Sequence, residues 1–198
     1  MRKGEKRKQE LLQIAYGMFI SRGYENTSVD DIIEAAGIAK GTYYYYFESK
    51  EQTLEEVIGM MIDQEAEAAK RILEADITVP EKIIGIIASL KPSQEEHPIE
   101  GALMQPENIL MHKKIIQRLI EIIVPLLTEV VKEGISEGIF SCDNIPERVK
   151  MMLVVSNEIF NECSFSENDI TVFIDMVEKL LGAKEGTMSF IKDLIERA

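Results

Sequence analysis

Apolar residues recur along this chain at every third or fourth position, the spacing that lines one face of an α-helix. No stretch alternates like a β-strand for longer than four residues. The first stripe, Leu11, Leu12, Ala15, Met18 and Phe19, predicts a helix over 5–22 that Gly23 ends. Ser28 with Asp31 makes a capping box for a short helix from Val29 to Ala36, whose inner face is Ile32, Ile33 and Ala36. Gly37 opens a turn, and a third short helix covers 40–46. Ser49 and Gln52 form a second capping pair, predicting a long helix to Ala75.

Thr78, Pro80 and Glu81 mark the next helix start and Lys91-Pro92-Ser93 its end, with a loop over 93–98 and a weaker helical pattern over 99–110. Residues 112–138 are apolar nearly all round, which predicts a helix in the middle of a bundle, and Pro125 predicts a kink in it. Asn144 and Pro146 introduce a helix over 146–163. Ser166 and Asp169 cap one over 167–182, and a short helix covers 187–197. The expected fold is all-α: a three-helix head, residues 1–50, joined by a long helix to a larger helical bundle, residues 51–198.

Charge divides at the same place. The 198 residues carry a net charge of −13, yet residues 1–50 hold eight Lys/Arg against seven Asp/Glu. The acid lies outside the head, and Arg2, Lys3, Lys6, Arg7 and Lys8 concentrate base at the N-terminus, where an arm or first helix can meet phosphates. An acidic body repels DNA and leaves contact to the head. Residues 1–10 lack an apolar core for a secretory signal, and every long apolar run is interrupted by charge. Cys142 and Cys163 make no paired framework, so the expectation is a reducing, cytoplasmic setting with no membrane.

Chemistry concentrates in Gly37-Ile-Ala-Lys-Gly-Thr-Tyr-Tyr-Tyr-Tyr-Phe47. Short helix, tight turn and polar-aromatic helix is the layout of a helix-turn-helix, whose second helix enters the DNA major groove. Tyr43 and Phe47, four apart, share the inner face, while Thr42, Tyr45 and Tyr46 project away from it. Tyrosine suits this work because its ring packs on sugars and thymine methyls while its hydroxyl bonds a phosphate or a base edge. Gly41 lets the backbone approach DNA closely, and Lys40 and Lys50 supply charge at the two ends of the helix. Thr27 or Ser28 offers a hydroxyl beside the amide-rich start of the second helix.

With those residues in view, the chain resembles the TetR/AcrR family of transcriptional regulators. The resemblance rests on Ala15-x-x-Met-Phe19, Gly23-Tyr24, Thr27-Ser-Val29, Asp31-Ile32, Ala35-Ala-Gly37, Lys40-Gly-Thr42, Tyr44-Tyr45, Phe47 and Lys50. It covers roughly residues 5–55. Ala39 stands where the family often has serine, and Tyr46 where histidine is commoner. Gly17 sits where a better helix former belongs. The resemblance implies that Tyr44 contacts a phosphate and that a homodimer reads two operator half-sites. It also implies that a small effector, expected to be apolar, binds the body and releases the operator.

The face expected to pair subunits lies on the last two long helices: Met152, Ile159 and Phe160 on one, and Ile170, Phe173, Ile174, Val177 and Leu181 on the other. The alternative is that both stripes serve the core of one chain. Met60, Met61, Met104, Met111, Met151 and Met152, with Phe160, are the candidates for an adaptable apolar effector pocket. His97 and His112 lack metal spacing with either cysteine, and no nucleophile–base constellation or phosphate loop is present. The reading is therefore no enzyme, no metal and no cofactor. The rival reading is a DNA-binding regulator whose body answers to a protein partner.

Overall fold

The computed structural model describes residues 3–89, 97–105, 108–160 and 165–196. Ten helices occur among them: α1 (Lys3–Arg22), α2 (Val29–Ala36), α3 (Lys40–Tyr46), α4 (Lys50–Leu73), α5 (Val79–Ser89), α6 (His97–Leu103), α7 (Ile109–Ser136), α8 (Ile145–Phe160), α9 (Glu167–Leu181) and α10 (Ile191–Glu196). The all-α expectation holds. Arg2, Cys163 and the end signal at 91–93 lie outside the described residues.

The chain forms two compact units, residues 1–64 with 92–116, and residues 65–91 with 117–198. The division falls within α4, later than the 50/51 boundary expected, and it returns α6 and the start of α7 to the head. The first unit closes on Leu11, Phe19, Ile32, Tyr43, Phe47 and Leu54, all essentially inaccessible. Helix α6 packs on α1 and buries Ile99, and Asn108 caps it through a 2.9 Å bond to the Ala102 carbonyl. Lys8 pairs with Glu56 across α1 and α4.

The second unit is built around Val79, Ile86, Val130, Val149, Phe173 and Leu181. Gly134 makes room for Phe140, whose ring lies where a Cβ would stand. Lys82 of α5, nearly buried, grips both oxygens of Glu133 on α7 at 2.8 and 2.7 Å. Helix α7 runs unbroken through the exposed Pro125. It is not buried all round: Leu126, Leu127, Val130 and Val131 are buried, while Ile109 and Leu110 face solvent. Among the described residues no helix is long and apolar enough to cross a membrane.

The α9 stripe expected at a subunit interface faces inward. Ile170, Phe173, Val177 and Leu181 are all core residues of the single chain, and Phe160 stacks edge-on against Phe165 and Phe173 at 5.2 Å. Met152, Ile159 and Ile174 are half-buried. Periodicity locates an apolar stripe and is blind to what covers it, so the monomer core takes this one. What remains outside is Met151 and Val154 on α8 and Val172 on α9.

Gly17 shows what α1 lacks. Nothing lies within 4 Å of a Cβ placed there, and the position is exposed. Gly17→Ala is therefore expected to stabilise the head by about 1 kcal/mol, the helix-propensity difference alone. Equilibrium denaturation of the two proteins checks it, and a lowered midpoint would reveal an unsuspected role for the gap.

Candidate nucleic-acid interface

Helix α2 starts at the predicted capping box. The Ser28 hydroxyl accepts from Asp31 N at 3.1 Å, and the Asp31 carboxylate accepts from Ser28 N at 2.8 Å. These bonds hold the Asp31 carboxyl below its ordinary range, the Ser28 hydroxyl contributing most. Helix α2 ends in the left-handed Gly37, from which Ile38 N reaches back to the Ile33 carbonyl at 3.2 Å. That wrap-around turn delivers the chain into α3.

Helix α3 has no side-chain cap, because Ala39 occupies the N-cap position. Its inner face is Tyr43 and Phe47, ring centroids 5.4 Å apart and both buried. The Tyr43 hydroxyl meets the buried Thr53 hydroxyl at 2.6 Å, fixing α3 against α4. Sequence reasoning missed Thr53, since a threonine on a long helix carries no signal of a tyrosine ten residues earlier. The outer face of α3 is Tyr44, 49% exposed, and Tyr45, 80% exposed, with Gly41 also in solvent. No atom approaches a Cβ built on Gly41, so nothing within the protein requires a glycine there. Thr42 and Tyr46 are half-exposed; the Tyr46 ring meets Tyr45 edge-on at 4.9 Å, and it lines an open groove with Gly4, Lys6, Arg7 and Glu10 of α1.

Three of the predicted contact residues have internal work. Thr27 is fully buried, its hydroxyl 2.9 Å from the Gly23 carbonyl, so it caps the end of α1 and leaves the surface to its exposed neighbour Ser28. Lys50 donates to the Tyr24 carbonyl at 3.1 Å and sits 4.0 Å above the Tyr24 ring. Lys40 pairs with Asp30 of α2 at 3.0 Å, in solvent. Burial, then the nearby Glu51 carboxylate, pushes the Tyr24 phenol well above its usual value.

The candidate pocket residues are dispersed. Met60, Met61, Met104 and Met111 belong to the first unit and Phe160, with Met151 and Met152, to the second. Met61 is core, Met104 and Met151 are exposed, and Met60 accepts a hydrogen bond from Gln13 at 3.0 Å. Among the described residues no cluster of His, Cys, Asp or Glu is placed to hold a metal.

The capping carboxylates fix a pH dependence. Asp31, Asp169 and Glu81 are each lowered by hydrogen bonds from the cap residue, Ser28, Ser166 and Thr78 respectively. A folded pKa below the unfolded one contributes stability above about pH 4 that is lost as pH falls through the folded value. The raised Tyr24, Tyr43 and Lys40 act oppositely, losing their contribution as pH rises past about 10. Melting temperature should be level between, and Ser166→Ala should flatten its acid limb. An unchanged acid limb in that variant would remove the capping explanation.

The bacterial regulatory proteins, tetR family, match this chain over residues 11–57, the span from α1 into α4. The HTH-type transcriptional repressor KstR2 of Mycolicibacterium smegmatis is 39% identical over 92 residues, 46% of this chain and 45% of that protein. The HTH-type regulator YhgD of Bacillus subtilis is 23% identical over 141 residues, 69% of this chain and 74% of that protein. The chain thus spans about half the length of the curated repressors it matches first. Among solved structures, RolR in complex with resorcinol superposes with a TM-score of 0.62 at 18% identity, over 100% of this chain and 96% of that one. A transcriptional regulator of Cytophaga hutchinsonii gives 0.61 at 19%, over 93% and 96%. At such identities the likeness is one of fold, and it extends through the helical body. Residues 11–57 thus carry the DNA-binding head of the bacterial regulatory proteins, tetR family, and the helical body shares the fold of these solved regulators.

Proposed function

We propose that this chain is a transcriptional repressor, and not an enzyme, that binds operator DNA as a homodimer and is released by a small apolar effector. One observation carries the reading. Helix α3 keeps Tyr43 and Phe47 wholly inside while holding Tyr45 almost wholly outside, beside a glycine that nothing in the protein demands. A rigid aromatic rail of that kind fits a major groove, with Ser28, Lys40, Thr42, Tyr44 and Tyr46 around it. Named repressors among the relatives support the direction of control. The subunit contact is assigned to the outer surface of α8 and α9, where Met151, Val154 and Val172 stay exposed.

The test is selection of bound duplexes from a random pool, followed by footprinting. A palindromic site with half-sites about one turn apart, ~34–36 Å, supports the reading. Failure to enrich any sequence would overturn it. The effector follows from linkage: a ligand that loosens the operator 100-fold, about 2.8 kcal/mol, must bind DNA-free protein tighter by the same factor. Equal affinity in both states would remove effector control. The exposed Met104, Ile109 and Leu110 favour a second reading, control by a protein docking there. Mutating these three to serine with no change in regulation would remove it.

A further inference from the structure

The charge most exposed to DNA at the start of α3 is already occupied. Lys40 Nζ lies 3.0 Å from Asp30 Oδ1, with the two side chains 62% and 75% accessible. Asp30 is in the first turn of α2, where Asp31 adds a second carboxylate. This helix N-terminus therefore shows a phosphate two acids, one of them neutralised by Lys40. Two other head cations are similarly paired with acids, Lys8 with Glu56 and Arg7 with Glu10. Each engaged cation leaves the head less positive charge to offer DNA of arbitrary sequence.

We propose that Asp30 holds Lys40 in reserve and so limits the affinity of the head for its operator, because Lys40 reaches a phosphate only when contacts of the tyrosine rail repay the broken ion pair. The inference rests on the reading of α3 as the DNA-contacting helix. On non-operator DNA the pair stays closed and Lys40 contributes no phosphate contact. On the operator Lys40 swings to the backbone, and the carboxylate left behind takes up a cation as the phosphate releases one. The net counterion release from this corner is then close to nil.

The consequence is a particular non-additivity. Asp30→Asn should tighten binding to a duplex selected by the wild-type protein by about tenfold, from two heads each relieved of an ordinary surface pair. A scrambled duplex of the same length, on which the wild-type pair stays closed, should gain no more than that. The salt dependence should steepen by about 0.9 per head. Lys40→Ala should weaken operator binding more when combined with Asp30→Asn than when made alone, because only with Asp30 in place must a pair be broken first. Asp30→Glu, which keeps the first-turn charge, should behave as wild type, and melting curves separate folding effects from binding. If Lys40→Ala costs the same factor with and without Asp30→Asn, or Asp30→Asn weakens binding, the inference is overturned while the DNA-binding reading stands. Wild-type protein that selects no duplex overturns both.

Discussion

Replacing Tyr45 with alanine is expected to weaken operator binding about 100-fold while leaving the melting temperature nearly unchanged. The ring is 80% exposed, and its edge contact with Tyr46 is its only aromatic one among the described residues. An exposed substitution of this kind shifts stability by about 1 kcal/mol or less. The same ring placed in a groove contributes a base-edge or methyl contact of about 1–3 kcal/mol, twice over in a dimer. Tyr45→Phe separates ring from hydroxyl, and because neither form changes charge, the salt dependence should match wild type. Tyr43→Ala is the contrasting variant: it empties a fully buried site and is expected to cost about 3–5 kcal/mol of stability. If Tyr45→Ala lowered stability as much as Tyr43→Ala, the outward face of α3 would be a packing face. The rail would then lose its assignment.

The difference between these neighbouring tyrosines was legible from spacing, and so were the helix starts. The Ser28–Asp31 and Ser166–Asp169 caps form because both partners lie within one turn, so local sequence contains the whole interaction. What spacing could not reach is pairing set by tertiary geometry. Lys40 with Asp30, and Tyr43 with Thr53, each join residues ten apart across a turn. Thr27 and Ser28 are chemically alike and adjacent, yet one is buried and the other exposed, since the turn after α1 rotates only the second outward. The inward stripe of α9 is the same limit at larger scale. An apolar face needs cover, and whether its own chain or a second copy supplies it depends on packing that no single helix encodes.

That packing yields the second large expected effect, in the helical body. Gly182→Ala should destabilise the body by about 3 kcal/mol, the reverse of Gly17→Ala, though the chemical change is identical. At Gly182 the backbone is left-handed, φ 62°, a conformation that costs a residue with a Cβ about 1–2 kcal/mol. A methyl there would also run into the Ser141 carbonyl, which is backbone and held by the 2.9 Å bond from Ser141 N to the Leu181 carbonyl. Relieving the clash means shifting the α7–α8 connection, and overpacking of this kind costs about 1–3 kcal/mol more. Arg148 doubles the constraint by donating to the Leu180 carbonyl at 2.6 Å while holding Asp143 of the same connection. For a chain of this length the total corresponds to a fall of roughly 6–12 °C in melting temperature. Because Gly182 follows the helix proposed to pair subunits, operator binding should weaken only at protein concentrations where the dimer dissociates. A loss of DNA affinity that persists at high protein concentration would show that this corner acts on the head by another route.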